Sequence, residues 1–138
     1  MEKGCRIKHV MGRIIKSVEI TNPLDASKNL RCDALVDTGA SHMVLPSAWK
    51  DRLGQAASSA TLAVETADQK TISGQVAGPF TIELEGFRRV HGEVMFVEMK
   101  PADGQYEPLI GYLVLEAIPA AVDMLGHRLV EVKHLDLK

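Results

Sequence analysis

The stretch ALVDTGASHMVLPSAW, residues 34–49, sets one carboxylate, Asp37, between an apolar run that reads as a buried strand and a Thr-Gly-Ala corner. Asp, Thr and Gly are all ordinary turn residues, so those three letters alone mean little. The longer pattern is much rarer: two apolar residues, Asp-Thr-Gly-Ala, a small residue, then a second apolar strand. Residue frequencies give it by accident in on the order of one chain in a thousand of this size. A carboxylate directly after Ala34-Leu35-Val36 enters the core side of a sheet, where an unpaired charge is costly. Gly39 permits a close backbone approach, and Thr38 offers a hydroxyl to brace the corner.

Outward from this stretch the recurring period is two. GRIIKSVEIT (12–21) alternates as a strand, NPLDASKN (22–29) is turn chemistry, and LRCDALV (30–36) resumes the strand, so the three form a hairpin. HMVLP (42–46) is the next strand, and PSAWKDRLG (46–54) is a short helix begun at Pro46 or Ser47 and stopped at Gly54. ATLAVETA (60–67), a corner at Asp68-Gln69-Lys70 and TISGQVAGPFTIELEG (71–86) follow as short alternating runs punctuated by glycine. RRVHGEVMFVE (88–98) leads into a polar loop, 99–108. LIGYLVLEAI (109–118) reads as a strand end that turns at Gly111 into a second short helix, and the chain closes with a strand pair around Gly126-His127. Many short strands and two brief helices predict an all-β sandwich or barrel.

The 138 residues, 46% of them hydrophobic, are enough for one core and too few for two ordinary domains. Sixteen basic and 18 acidic residues are scattered along the chain, which disfavours nucleic acid and anionic membrane as partners. Charges recur through MEKGCRIKHVMGRIIKS, so this segment reads as neither a signal peptide nor a membrane span, and a cytoplasmic location is expected. Cys5 and Cys32 are expected to be free thiols.

LVDTGAS followed downstream by PLIGYLVLE resembles the retroviral-type aspartic proteases, the retropepsins, and the layout is similar to their small single-lobe bacterial relatives. The likeness covers residues 11–133, within a single domain of residues 11–138 preceded by an N-terminal extension, residues 1–10. It implies a retropepsin-like closed β-barrel with a flap hairpin. It also implies catalytic roles for Asp37, Thr38 and Gly39, and a glycine motif at Gly111 that closes a psi-shaped loop behind the aspartate. Substrate contacts are implied at Ala40, Ser41, Ala67, Asp68, Gln69 and Gly111. Viral members usually carry an aspartate after Asp-Thr-Gly-Ala and an arginine after the later glycine, paired with each other; Ser41 and Tyr112 stand there here, so both halves of the pair are absent together. The flap tip is Ala-Asp-Gln-Lys rather than glycine-rich.

Aspartic protease chemistry uses two carboxylates sharing one proton, one as base toward water and one as acid toward the carbonyl. The chain has one Asp-Thr-Gly, and neither Asp103 nor Asp123 lies in such a corner. The second aspartate is therefore expected from a second copy, in a symmetric homodimer acting on a peptide or protein substrate without metal or other cofactor. The alternative is a retropepsin-fold module that binds peptides or dimerises without cutting. Other candidates are weaker. His9, His42, His91, His127 and His134 lack metal-ligand spacing; Ser41 follows no nucleophile elbow; Trp49 reads as a core or interface anchor; Phe87-Arg88-Arg89-Val90 reads as a solvated strand edge.

Overall fold

The computed structural model describes residues 13–65 and 69–132; the proposed extension, residues 1–10, and the flap-tip residues Ala67 and Asp68 lie outside them. Strands β1 (Ile15–Asn22) and β2 (Asp25–Val36) form a hairpin whose register pairs Ile15 with Leu35 and Ile20 with Leu30. Val18, Ile20 and Asn22 point inward from β1 at the expected period of two. Strand β3 (Met43–Pro46) leads through a single 3-10 turn, Ser47–Trp49, into helix α1 (Lys50–Leu53). Gly54 ends that helix in the left-handed region, φ 70°, which glycine reaches without a Cβ penalty. Strands β4 (Ser58–Glu65), β5 (Thr71–Leu84), β6 (Val90–Val97) and β7 (Leu109–Ile110) follow, then helix α2 (Tyr112–Ala117) and the closing pair β8 (Ala120–Asp123) and β9 (Arg128–Glu131).

The pairings return on themselves through β1, β2, β7, β3, β6 and β5, because β5 pairs again with β1 from Thr21↔Thr81 to Val18↔Leu84. Two of these junctions are parallel, β2 with β7 and β3 with β6. Inside the circuit lie Val18, Ile20, Met43, Leu45, Leu53, Phe80, Ile82, Leu84, Val94, Phe96, Ile110 and Ile118, with the Phe80 and Phe96 rings edge to face at 6.3 Å. Each such side chain stabilises the fold by about 1.5–3 kcal/mol through burial. This is an all-β architecture whose strand pairings close on themselves.

Two local expectations are corrected. The turn expected over 22–29 is confined to Pro23 and Leu24, and β2 begins at Asp25. The turn-forming side chains instead occupy an irregular end of the hairpin, where Asp25 accepts from the Ser27 N–H and hydroxyl and the register shifts beside Asn22. Asn22 itself is buried: it donates to the carbonyls of Leu53 and Gln55 at 2.8 and 2.9 Å and accepts from the Leu24 N–H, which fastens the hairpin to the end of α1. The short runs expected over 71–86 are one strand of 14 residues. Its first half pairs with β4 and its second half with β1, while β6 accompanies both halves across an irregularity between Ala77 and Phe80. The continuous pairing overrides the punctuation by glycine.

Candidate active site

The Asp37 corner is held from below by main-chain bonds. The Asp37 N–H donates to the Ile110 carbonyl at 2.9 Å, and the N–H groups of Leu35 and Val36 donate to Pro108 and Ile14. The turn is closed by the Ala40 N–H on the Asp37 carbonyl at 3.1 Å, and the Gly39 N–H donates to Asp37 Oδ1 at 2.9 Å. Behind the corner, the Tyr112 and Leu113 N–H groups donate to the carbonyls of Ala40 and Ser41 at 2.9 and 3.0 Å. Gly111 makes this crossing possible: a Cβ there would lie 2.3 Å from the His42 carbonyl oxygen and 2.5 Å from the Ser41 carbonyl carbon. A psi-shaped strap thus runs from β7 into α2 beneath residues 37–42.

The structure departs from expectation on three residues. Asp37 is half-buried rather than drawn into the core, because β2 ends at Val36 and the chain turns away over β7. Thr38 is exposed, so the bracing of the corner within the chain comes from main-chain bonds. Gly111 is buried against the backbone of Ser41 and His42, a support beneath the loop rather than a surface for substrate.

A second, smaller apolar cluster lies apart from the main core. Val44, Val76, Met95 and Val97 form it, and Ala40, Leu109 and Met99 pack against it. Ala40 belongs to the Asp37 corner and Leu109 pairs with both Leu35 and Val44, so this cluster forms an apolar wall adjoining the corner. The β4–β5 hairpin rises from the same wall, since Val76 lies in β5. Toward its tip Gln69 is exposed and takes φ 65°, a backbone region that costs a non-glycine residue about 1 kcal/mol.

A concavity of about 480 Å³ lies elsewhere: Lys50, Gln55, Ser58, Ala77, Phe80 and Phe96 are among its lining residues, and none of the Asp37 corner takes part. The chemistry of the corner outweighs that volume as a guide to the site.

Several side chains have partners that the sequence did not reveal. Ser41 Oγ lies 2.8 Å from His42 Nδ1, and His42 Nε2 lies 3.6 Å from a Glu93 carboxylate oxygen. The only local signal was the Ser41-His42 adjacency, because Glu93 arrives through the parallel β3–β6 pairing. Arg88 is not merely a solvated edge: it donates to the carbonyls of Ala117 and Ile118, capping α2. Trp49 packs against the core, edge to face with Tyr106 at 5.7 Å. Cys32 is a free thiol whose pKa is pushed up to about 11, mainly by burial and further by neighbouring Asp33, with Arg52 opposing. Among the described residues no three His, Cys, Asp or Glu side chains converge as metal ligands, and no helix is long and apolar enough to cross a membrane.

The family model described as aspartyl protease matches residues 23–114, which hold the whole Asp37 corner and Gly111. The chain belongs to the aspartyl protease family. Among solved structures, this aspartyl protease family member is similar to EIAV protease complexed with the inhibitor HBY-793, at TM-score 0.58 and 20% identity, over 80% of this chain and 92% of that one. That likeness bears on the fold. A further match is the crystal structure of Lpg0085, a protein of unknown function (DUF785) from Legionella pneumophila subsp. pneumophila str. Philadelphia 1, at TM-score 0.41 and 19% identity, over 82% of this chain and 90% of that one. Among curated proteins no sequence matches the chain.

Proposed function

We propose that the protein is an aspartic endopeptidase whose carboxylate pair is assembled from Asp37 of two identical chains. The observation that carries this reading is the strapped corner: main-chain bonds and Gly111 fix the loop, yet its carboxylate stays half-exposed and its Thr38 exposed. A carboxylate held rigidly and left open at the surface suits a partner that brings a second one, and one Asp-Thr-Gly per chain requires it.

In this reading the two Asp37 carboxyls share a proton. The ionised one takes a proton from a water as that water attacks the peptide carbonyl carbon, and the protonated one gives its proton to the carbonyl oxygen. Collapse of the resulting diol reverses those roles and delivers a proton to the leaving amine. Thr38 of each chain ties the two corners together across the dimer, Gly39 donates its N–H to Asp37 Oδ1, Ala40 and Ser41 meet the substrate along the loop, and Ala67, Asp68 and Gln69 enclose it from the flap. The wall of Val44, Val76, Met95 and Leu109 favours an apolar side chain beside the scissile bond. Residues 128–135, together with residues 1–10, are the proposed dimer contact. A cytoplasmic setting goes with the free thiol of Cys32.

The test is cleavage of a peptide library by the purified chain at mildly acidic pH, beside Asp37→Asn. The variant is expected to fold and to cut nothing, since an amide cannot share the proton. Equal cleavage by the variant refutes the proposal.

A further inference from the structure

We infer that His42 is a positioning residue for the Asp37 corner: with Glu93 it fixes the proton direction of Ser41 and ties the loop to β6. The inference builds on the proposed peptide hydrolysis, and its first readout needs no activity. His42 follows the corner directly, its side chain is 16% exposed, and its carbonyl is the group that closes on Gly111. The parallel register Met43↔Val94 sets His42 beside Glu93, one residue ahead of that pair. The ring also borders a mostly apolar cavity of about 110 Å³, lined by Ile82, Val90, Leu113, Val114 and Ala117 and also by His91 and Glu93. A polar ring in such a place is stabilised only if both nitrogens face suitable partners.

Proton counting then assigns the chain. A neutral imidazole carries one N–H, a serine hydroxyl one O–H, and a carboxylate none. A lone pair on Nε2 would face the Glu93 oxygen at 3.6 Å and be repelled by it, so the hydrogen belongs on Nε2. That contact is electrostatic, being too long for a hydrogen bond. Nδ1 is then an acceptor, and the Ser41 hydroxyl donates to it across 2.8 Å. With its only hydrogen committed, Ser41 meets a substrate as an acceptor, taking a peptide N–H and not offering a proton to a carbonyl. The arrangement also links the loop to β6 by a side-chain route, beside the main-chain strap from α2. It supplies a brace at the position where the viral-type Asp–Arg pair is missing.

The experiment is nitrogen-detected NMR of the histidine rings in the full-length, isotope-labelled protein near neutral pH, with kinetics on a peptide that wild type cuts and Asp37→Asn does not. Wild type is expected to hold His42 as one tautomer, hydrogen on Nε2 and Nδ1 accepting. Glu93→Ala, at a side chain 55% exposed and therefore tolerant of change, is expected to give a mixture of tautomers and to lower kcat about tenfold with little change in KM. Glu93→Gln keeps the size but loses the charge, and because the contact is electrostatic it is expected to behave as Glu93→Ala does. A hydrogen on Nδ1 in wild type, or a Glu93→Ala protein with unchanged tautomer and kcat, overturns the inference. A wild-type chain that shows the assigned tautomer but cuts no peptide refutes the proteolytic reading while leaving the hydrogen-bonded chain standing.

Discussion

Gly111→Ala puts the strap beneath the Asp37 corner to a quantitative test. The added Cβ would sit 2.3 Å from the His42 carbonyl oxygen, where real contacts do not fall below 3.0 Å, so the two segments must part by at least 0.7 Å. The obstacle is backbone on both sides, so no side chain can swing away. Overpacking of this kind costs about 1–3 kcal/mol. The separation also strains the bonds from Tyr112 to Ala40 and Leu113 to Ser41, worth about 1 kcal/mol each. A loss near 3 kcal/mol follows, against a total of about 5–15 kcal/mol for an ordinary domain.

Urea unfolding followed by circular dichroism measures it. With a slope of about 1.5 kcal/mol per molar, the midpoint is expected to fall by about 2 M. Gly92→Ala is the control, since its nearest neighbour would be Ile82 Cδ1 at 3.9 Å, an ordinary contact; its midpoint is expected to stay put. Because a shift of this size displaces the Asp37 carboxylate, peptide cleavage by the folded Gly111→Ala protein is expected to drop about a hundredfold. A variant with wild-type midpoint and wild-type cleavage refutes the reasoning about the strap.

Mixing excess Asp37→Asn chains into wild type is expected to suppress turnover by forming mixed dimers, and dilution is expected to lower specific activity; a fully active species that sediments as a monomer contradicts assembly across two chains. Asn22→Ala removes one acceptor and two donors at a buried site, leaving the Leu53 and Gln55 carbonyls without them, and is expected to cost about 2–3 kcal/mol by urea unfolding. Cys32 has a folded pKa of about 11 against an ordinary 9.0, so the folded state favours the neutral thiol. Its contribution to stability is therefore full below about pH 9 and is lost as pH rises through 11. Alkylation at pH 8 is expected to be slow in the folded protein and fast in urea; rapid labelling of the native state contradicts the burial of the thiol.

What the sequence revealed and what it hid divide along contact range. The Asp37 corner was legible because its constraints are local: an apolar strand, a carboxylate, a small residue that leaves room, and a glycine-containing strap downstream. The hairpin turn was misjudged because Asp25, Ser27 and Asn29 signal turns equally well inside a bulged strand end, and only pairing with β1 decides between them. The length of β5 was hidden for the same reason. Gly74 and Gly78 look like interruptions until β4 and β6 are known to flank them on either side. Least legible were the parallel junctions, β2 with β7 and β3 with β6, which no periodicity announces. They bring Ile110 to Asp37 and Glu93 to His42.

The same topology bears on why this corner remains at the surface. Strand β7 has only two residues, and it is wedged between β2 and β3 so that its carbonyls receive the Asp37 N–H while the chain on either side of it departs. A longer β7 would extend the ladder and carry Asp37 into a covered sheet, where an unpaired carboxylate is strongly disfavoured. A shorter one would leave the Asp37 N–H without its acceptor. Two residues satisfy the main chain and still release the side chain outward. The wall of Val44, Val76, Met95 and Val97 stands beside that opening as a group separate from the main core. An apolar wall next to a rigid, half-open carboxylate is half of a cleft, and the proposed second chain supplies the carboxylate and the wall that complete it.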